Sequence, residues 1–172
     1  MADRKQFRRY ENAKDFRSEA KLKIGDYDSI MGRTKQEFIE VRKTGIKCRA
    51  FLSAKNKTLE IIEITRTCWN HLFKHPTKRR SKTEKLERAL CWPYAIKLLE
   101  KTTTYQGFSR EKDRGGNRYD AFEIVGYVRG CRIKIVIKKQ GGYTNTKKTL
   151  LSFYQLSGAP IKKGEPPPDS ID

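Results

Sequence analysis

Residues Cys131-Arg132-Ile133-Lys134-Ile135-Val136-Ile137-Lys138 alternate apolar and mostly basic side chains. A period of two describes a strand with one face in a core and the other in solvent, here as a basic stripe. Upstream, Tyr119 to Val128 is a second strand-like run rich in aromatic and β-branched residues, and Arg129-Gly130 makes the turn between the two. Thr149 to Leu156 reads as a further strand after a loop from Gln140 to Thr146. The C-terminal half is therefore expected to be an antiparallel meander.

The earlier half supplies the remaining elements. Ile46 to Leu52 and Thr58 to Thr65, separated by Ala54-Lys55-Asn56-Lys57, read as a hairpin. Thr65 or Thr67 caps a short helix through Leu72 and Phe73, which Pro76 ends. Ser81 with Glu84 three residues on fits a capping box. The helix it opens is expected to break near Cys91, turn, and resume from Pro93 to about Lys101. Thr102 to Phe108 reads as strand and Arg110 to Asn117 as a charged loop. Gly25 to Ser29 and Met31 to Arg33 read as turns, and Phe38 to Val41 as a short helix or strand. No internal repeat stands out.

The order of hairpin, helices and meander gives an α+β fold: an antiparallel sheet of a hairpin plus about four meander strands, with two to three helices on one face. The expected organisation is a basic N-terminal arm over 1–45, a folded domain over 46–157, and a disordered proline-rich tail over 158–172. Arg8-Arg9-Tyr10 in the arm begins a short helix. A chain of 172 residues buries about two thirds of its extended surface on folding.

Charge narrows the function. The 39 basic and 20 acidic residues give a net charge of +19, a field that attracts polyanions, of which nucleic acid is the commonest. No long apolar run exists, so a membrane span is not expected. Between Ile124 and Gly164 there are nine basic residues and no acidic one: Arg129, Arg132, Lys134, Lys138, Lys139, Lys147, Lys148, Lys162 and Lys163. Such a one-sign stretch on paired strands attracts phosphates. Tyr127, Tyr143 and Tyr154 are candidate stacking platforms for unpaired bases. Lys78, Arg79, Arg80 and Lys82 form a second basic cluster.

The only histidines, His71 and His75, share one helical face and are the side chains that titrate near neutrality. No third ligand lies near them and no HExxH occurs, so no metal and no cofactor are expected. The four cysteines, Cys48, Cys68, Cys91 and Cys131, are widely spaced without a CxxC, and are read as buried thiols. The acids of the meander, Asp113, Asp120 and Glu123, are scattered, which disfavours a two-metal nuclease. What remains is acid/base chemistry on RNA, whose 2′-hydroxyl is its own nucleophile. Histidine suits the proton transfers, fixed cations suit the charge on phosphorus, and hydroxyls such as Ser152 and Tyr154 position the phosphate. A histidine with a purely structural role is the competing reading.

The run Leu59 to Thr65, then Trp69-Asn70-His71-Leu72 and Lys74-His75-Pro76, resembles the strand-then-helix opening of phage-type members of the barnase/EndoU/colicin/RelE-like nuclease superfamily. Leu86 to Leu99 with Pro93 is similar to their second helix, and Val128 to Ile137 and Leu151-Ser152-Phe153-Tyr154 resemble their closing strands. The resemblance covers roughly Cys48 to Leu156. It implies a metal-independent endoribonuclease, toxin-like, with His71 at the catalytic-histidine position and His75 second. Lys134 or Arg132 would stabilise the phosphate and Ser152 would be the last-strand hydroxyl. Arg80, Arg118 and Arg132 compete for the catalytic arginine. Arg79, Arg129, Lys138, Lys139, Tyr127 and Tyr154 join these as nucleic-acid contacts. The implied partners are RNA, free as tRNA or on the ribosome, and an acidic antitoxin or immunity protein, in a cytoplasmic setting or after delivery into a target cell. The alternatives are a non-catalytic nucleic-acid-binding accessory protein of a phage or mobile element on the same fold, and an adaptor docking on an acidic protein.

Overall fold

A computed structural model describes residues 8–9, 14–52, 57–74, 77, 79–140, 147–157, 159–160 and 171. The architecture is α+β, four α-helices against a curled six-stranded sheet. Helices α1 (Phe16–Leu22) and α2 (Tyr27–Thr44) come first. Strands β2 (Ile46–Leu52) and β3 (Leu59–Glu63) form the expected hairpin, after a short strand β1 (Arg8–Arg9). Next come α3 (Arg66–Trp69), a π-helical turn (Asn70–Lys74) and α4 (Lys82–Lys101). The meander is β4 (Gly107–Lys112), β5 (Arg118–Val128), β6 (Cys131–Gln140) and β7 (Lys148–Gln155), with a short β8 (Ala159–Pro160).

The strand order is β2-β3-β7-β6-β5-β4. The sheet is mixed rather than antiparallel, because β3 joins β7 in parallel through Ile62↔Lys148 and Glu63↔Thr149. Parallel neighbours need a long connection, and here that connection holds α3, α4 and three meander strands. The alternation read in β6 holds. Cys131, Ile133, Ile135 and Ile137 are buried, and the residues between them are half-buried. These four join Leu86, Trp92, Ala95, Leu98 and Leu99 of α4 in one core. Gly126 of β5 admits α4 closely, since a Cβ there would lie 2.6 Å from Leu98 Cδ1.

Several expectations are corrected. Gly25 and Asp26 lie in a 3-10 turn, Ile24–Asp26, and the turns read over Tyr27 to Arg33 belong to one long helix, α2, which runs on through Phe38, where helix is one of the two readings. Ile30, Thr34 and Phe38 are buried at fourfold spacing along it, and that apolar stripe outweighs the helix cost of Gly32, about 1 kcal/mol. Gly45 ends α2 at φ 66°, where a Cβ would meet Ile61 Cγ2 at 2.4 Å. The stretch expected as an arm is thus part of the core from Phe16 onward, with Phe16, Ala20, Ile30 and Phe38 buried. Arg8–Arg9 is not helical but pairs in parallel with Ala159–Pro160, so its backbone groups bond across rather than along the chain.

α4 runs unbroken through Pro93. Pro93 lies exposed while its neighbours Cys91, Trp92 and Ala95 are buried, so packing on the other side carries the helix past the missing N–H. The capping box is present, with Glu84 N–H donating to Ser81 Oγ at 3.1 Å and Ser81 N–H to Glu84 at 2.8 Å. Thr65, not Thr67, caps α3 by accepting from Cys68 N–H at 3.3 Å. The charged loop expected over 110–117 is half strand, because Gly107–Lys112 pair residue by residue with Arg118–Glu123. Only Asp113 to Asn117 turn, closed by Asn117 N–H donating to Asp113 at 2.9 Å. Conversely, the strand read over 102–108 begins only at Gly107. Of the tail expected to be disordered, Ala159–Pro160 and Ile171 are described. Ile171 N–H donates to Tyr127 O at 2.9 Å, and its carbonyl accepts from Arg129 N–H at 2.8 Å. The rest of the tail, His75, Lys78, Tyr143 and the turn residues 54–56 lie outside the described residues.

Candidate nucleic-acid interface

Strand parity sorts the site residues onto two faces. Register places Arg132, Lys134, Val136 and Lys138 of β6 on the face away from α4, opposite Tyr127, Val125, Glu123 and Ala121 of β5. Ser152 and Tyr154 of β7 stand opposite Val136 and Lys134 on that same face. One outer face therefore gathers Arg132, Lys134, Lys138, Tyr127, Tyr154 and Ser152. Tyr119 is added by register, and Lys138 Nζ sits 4.5 Å from its ring centroid, a cation–π contact. Ser152 is the most enclosed of these at 9% exposure.

Other expected contacts fall elsewhere. Lys139 pairs with Asp120 and Lys148, which puts it on the helix-side parity, as does Arg118 at the start of β5. Arg129 occupies the turn with φ 48°. Arg79 lies exposed in the segment before α4. The acid-free run is also not an acid-free surface. Glu123 reaches Lys134 at 2.7 Å, Glu63 reaches Lys147 at 3.3 Å, and Glu60 pairs with Lys148. The hydrogen-bonded Glu123 carboxylate holds the Lys134 ammonium above its usual pKa, with burial opposing and Tyr154 adding to the rise. Burial lowers the Arg132 guanidinium, and Tyr127 opposes that.

The histidine segment meets this face at the β7 edge. β3 pairs only with Lys148 and Thr149 of β7. The remainder of that edge is left to the next segment of chain, and α3 and the π-turn pack there. His71 is half-buried in the π-turn, a geometry often found at functional sites. Its carbonyl accepts from Arg80 Nη2 at 3.3 Å. Arg80 in turn lines a cleft of about 100 Å³ with Arg88, Glu84, Glu87, Tyr154 and Gln155. Arg88 Nη1 donates to Phe153 O at 2.8 Å. Burial, then the neighbouring Arg80, lower the Arg88 pKa. Burial raises the Glu87 carboxyl. Arg80 Nε is buried with no hydrogen-bond partner among the described residues. The cleft sets two guanidiniums, one with a buried donor unsatisfied, against Glu84 and Glu87, of which Glu84 is engaged in the capping box and Glu87 is pushed by burial toward its neutral form.

Contacts run from the His71 carbonyl to Arg80, from the Arg80 cleft to Tyr154, from Tyr154 to Lys134 across the β6–β7 pairing, and from Lys134 to Glu123. Sequence reasoning missed Arg88, Glu123 and Tyr119. A signal for Glu123 was present: the two-residue turn at Arg129-Gly130 sets Val128 opposite Cys131, and counting back puts Glu123 opposite Val136, diagonal to Lys134. Arg88 carried no comparable signal, because its partner on β7 is 65 residues away in sequence.

Among the described residues no group of three or more His, Cys, Asp or Glu is placed to hold a metal ion, and no helix is long and apolar enough to cross a membrane. All four cysteines are buried thiols. Comparison with known protein families, with curated proteins and with solved structures finds no match to this chain.

Proposed function

We propose that the chain is a metal-independent endoribonuclease that lays single-stranded RNA across the outer face of its sheet. The observation that carries this reading is the Arg80/Arg88 cleft, with the buried, unpartnered Arg80 Nε, whose Arg80 holds the His71 carbonyl and whose wall includes Tyr154, the cross-strand neighbour of Lys134. In this scheme a phosphate enters the cleft, and Arg132 and Lys138 carry the cationic track across the face past Tyr154, with Lys134 held by Glu123. The 2′-oxygen attacks phosphorus as Glu123 takes its proton, the P–O5′ bond breaks, and His71 gives a proton to the departing 5′-oxygen. The products are a 2′,3′-cyclic phosphate and a 5′-hydroxyl, with no metal in the balance. Tyrosines 119, 127 and 154 supply stacking surfaces.

The test is cleavage of oligoribonucleotides, tRNA and ribosomal RNA in EDTA between pH 5 and 8. Cutting by the native chain and a loss of about 10²-fold or more in His71→Ala is expected. Intact RNA under all these conditions overturns the catalytic reading. A second reading, a nucleic-acid-binding protein without catalysis, is favoured by the ion pair itself, in which Glu123 neutralises Lys134. It expects tight, salt-sensitive binding of uncut RNA and little effect of His71→Ala.

A further inference from the structure

A second groove, remote in chemistry from the sheet face, lies between α2 and the segment of α3 and the π-turn. On α2 it is walled by Lys35, Phe38, Ile39 and Arg42, and on the other side by Arg66, Trp69, Asn70 and Lys74. The α2 set has the spacing of a single helical face. Its volume is about 300 Å³. The floor is apolar: Phe38 is buried, Trp69 half-buried, and Ile39 is 38% exposed. The rim carries Lys35, Arg42, Arg66 and Lys74, and none of these forms an ion pair among the described residues. The nearby acids of α2 are engaged elsewhere, since Glu40 pairs with Lys43 at 2.8 Å and Glu37 lines a different groove against α1 and α4.

We propose that this groove binds an acidic, amphipathic helical segment of a partner protein. Four cations and no carboxylate call for negative charge. The floor calls for aliphatic or aromatic side chains spaced as on a helix, the helix-in-groove mode. RNA fits less well. The Trp69 ring already contacts Phe38 at 5.0 Å and Phe73 at 4.2 Å between centroids, so its stacking capacity is engaged inside the protein. A second copy of a chain with a net charge of +19 would bring like charge to a cationic rim. The inference stands apart from the ribonuclease reading, since none of these residues belongs to the outer face or the arginine cleft.

The probe is a synthetic helical peptide of about 18 residues with leucines at i, i+3, i+4 and i+7 flanked by glutamates, titrated into the full chain. Trp92 is only 1% exposed, so a change in tryptophan emission reports Trp69. The peptide is expected to bind at least tenfold more tightly than its glutamine-substituted version. The double variant Lys35→Glu/Arg42→Glu is expected to lose at least tenfold in peptide affinity, while retaining its circular dichroism and its affinity for an octauridylate. Lys138→Glu/Lys139→Glu, an equal change in net charge, is expected to keep peptide binding within about threefold. Equal losses in both double variants would reduce the effect to the general field and overturn the proposal. So would loss of octauridylate rather than peptide binding in Lys35→Glu/Arg42→Glu, or an Ile39→Asp variant that binds the peptide undiminished.

Discussion

Replacing Glu123 with glutamine removes the carboxylate 2.7 Å from Lys134 Nζ and leaves the strand register untouched. In the native chain that carboxylate offsets the Lys134 charge, so the proposed reading leaves Arg132 and Lys138 as the β6 cations of the outer face open to a phosphate. Freeing Lys134 adds one phosphate contact, which steepens the dependence of log affinity on log salt by about 0.7 for a single strand. Referred to 1 M salt, that is tighter binding by about eightfold at 50 mM and about fourfold at 150 mM. Glu123 is 41% exposed at its side chain, so loss of the pair costs at most about 1 kcal/mol of stability, and the fold survives the change. Fluorescence anisotropy of a labelled octauridylate in EDTA, at four salt concentrations, measures the slope and the affinity. The same samples on a gel measure cleavage. Tighter, more salt-sensitive binding with cleavage reduced about 10²-fold or more is the expected result. Unchanged or weaker binding would refute the placement of RNA on this face. Undiminished cleavage would refute Glu123 as the proton acceptor.

Two further predictions concern what holds the site in place. Lys148 is buried beside Glu60, with its ammonium 5.0 Å from the Phe51 ring centroid. Glu60→Gln leaves that charge uncompensated at 9% exposure and costs about 3 kcal/mol, whereas Lys148→Met leaves the Glu60 carboxylate, 22% exposed and able to hydrate, and costs less, about 1 kcal/mol. At about 2–4 °C per kcal/mol for a domain of this size, a melting curve separates the two, and equal shifts would contradict the buried-charge argument. The cysteines set an alkaline limit. Burial pushes the Cys68 thiol from the usual 9.0 up to about 12, and raises Cys91 as well. The folded state keeps protons that the unfolded state sheds, so this stability is complete below about pH 8. It falls as pH rises through 9 toward 12, by up to about 1.4 kcal/mol per pH unit for each thiol. Urea midpoints at pH 8 and pH 10 check it, and a midpoint that rises with pH has the wrong sign.

What was legible in the sequence was local. β5 and β6 announce themselves because β6 carries a period-two pattern, β5 is rich in aromatic and β-branched residues, and a two-residue turn joins them, and the β2–β3 hairpin and the capping box of α4 are equally short-range. The failures share a cause in packing. Met31, Gly32 and Arg33 look like turn chemistry until Ile30, Thr34 and Phe38 are seen buried on one stripe. Pro93 looks like a break until its flanks are seen buried, and β4 looks like a loop until β5 lies beside it. The site divides the same way. Lys134, Lys138 and Tyr154 follow from alternation, and Lys139 was misassigned for want of applying that alternation one residue further. Arg88 and the meeting of the His71 segment with β7 depend on a non-local strand pairing that no period encodes.

That pairing has a consequence for biosynthesis. The strand onto which the β2–β3 hairpin docks is β7, the last long strand to leave the ribosome, although it sits near the middle of the sheet. The hairpin and α4 are made early but find their central partner only after about residue 155 has emerged. Until then β3 presents an open edge, and the Arg88 contact to Phe153 O and the Tyr154 wall of the cleft do not exist. The arginine cleft therefore assembles only after the rest of the sheet has been synthesised.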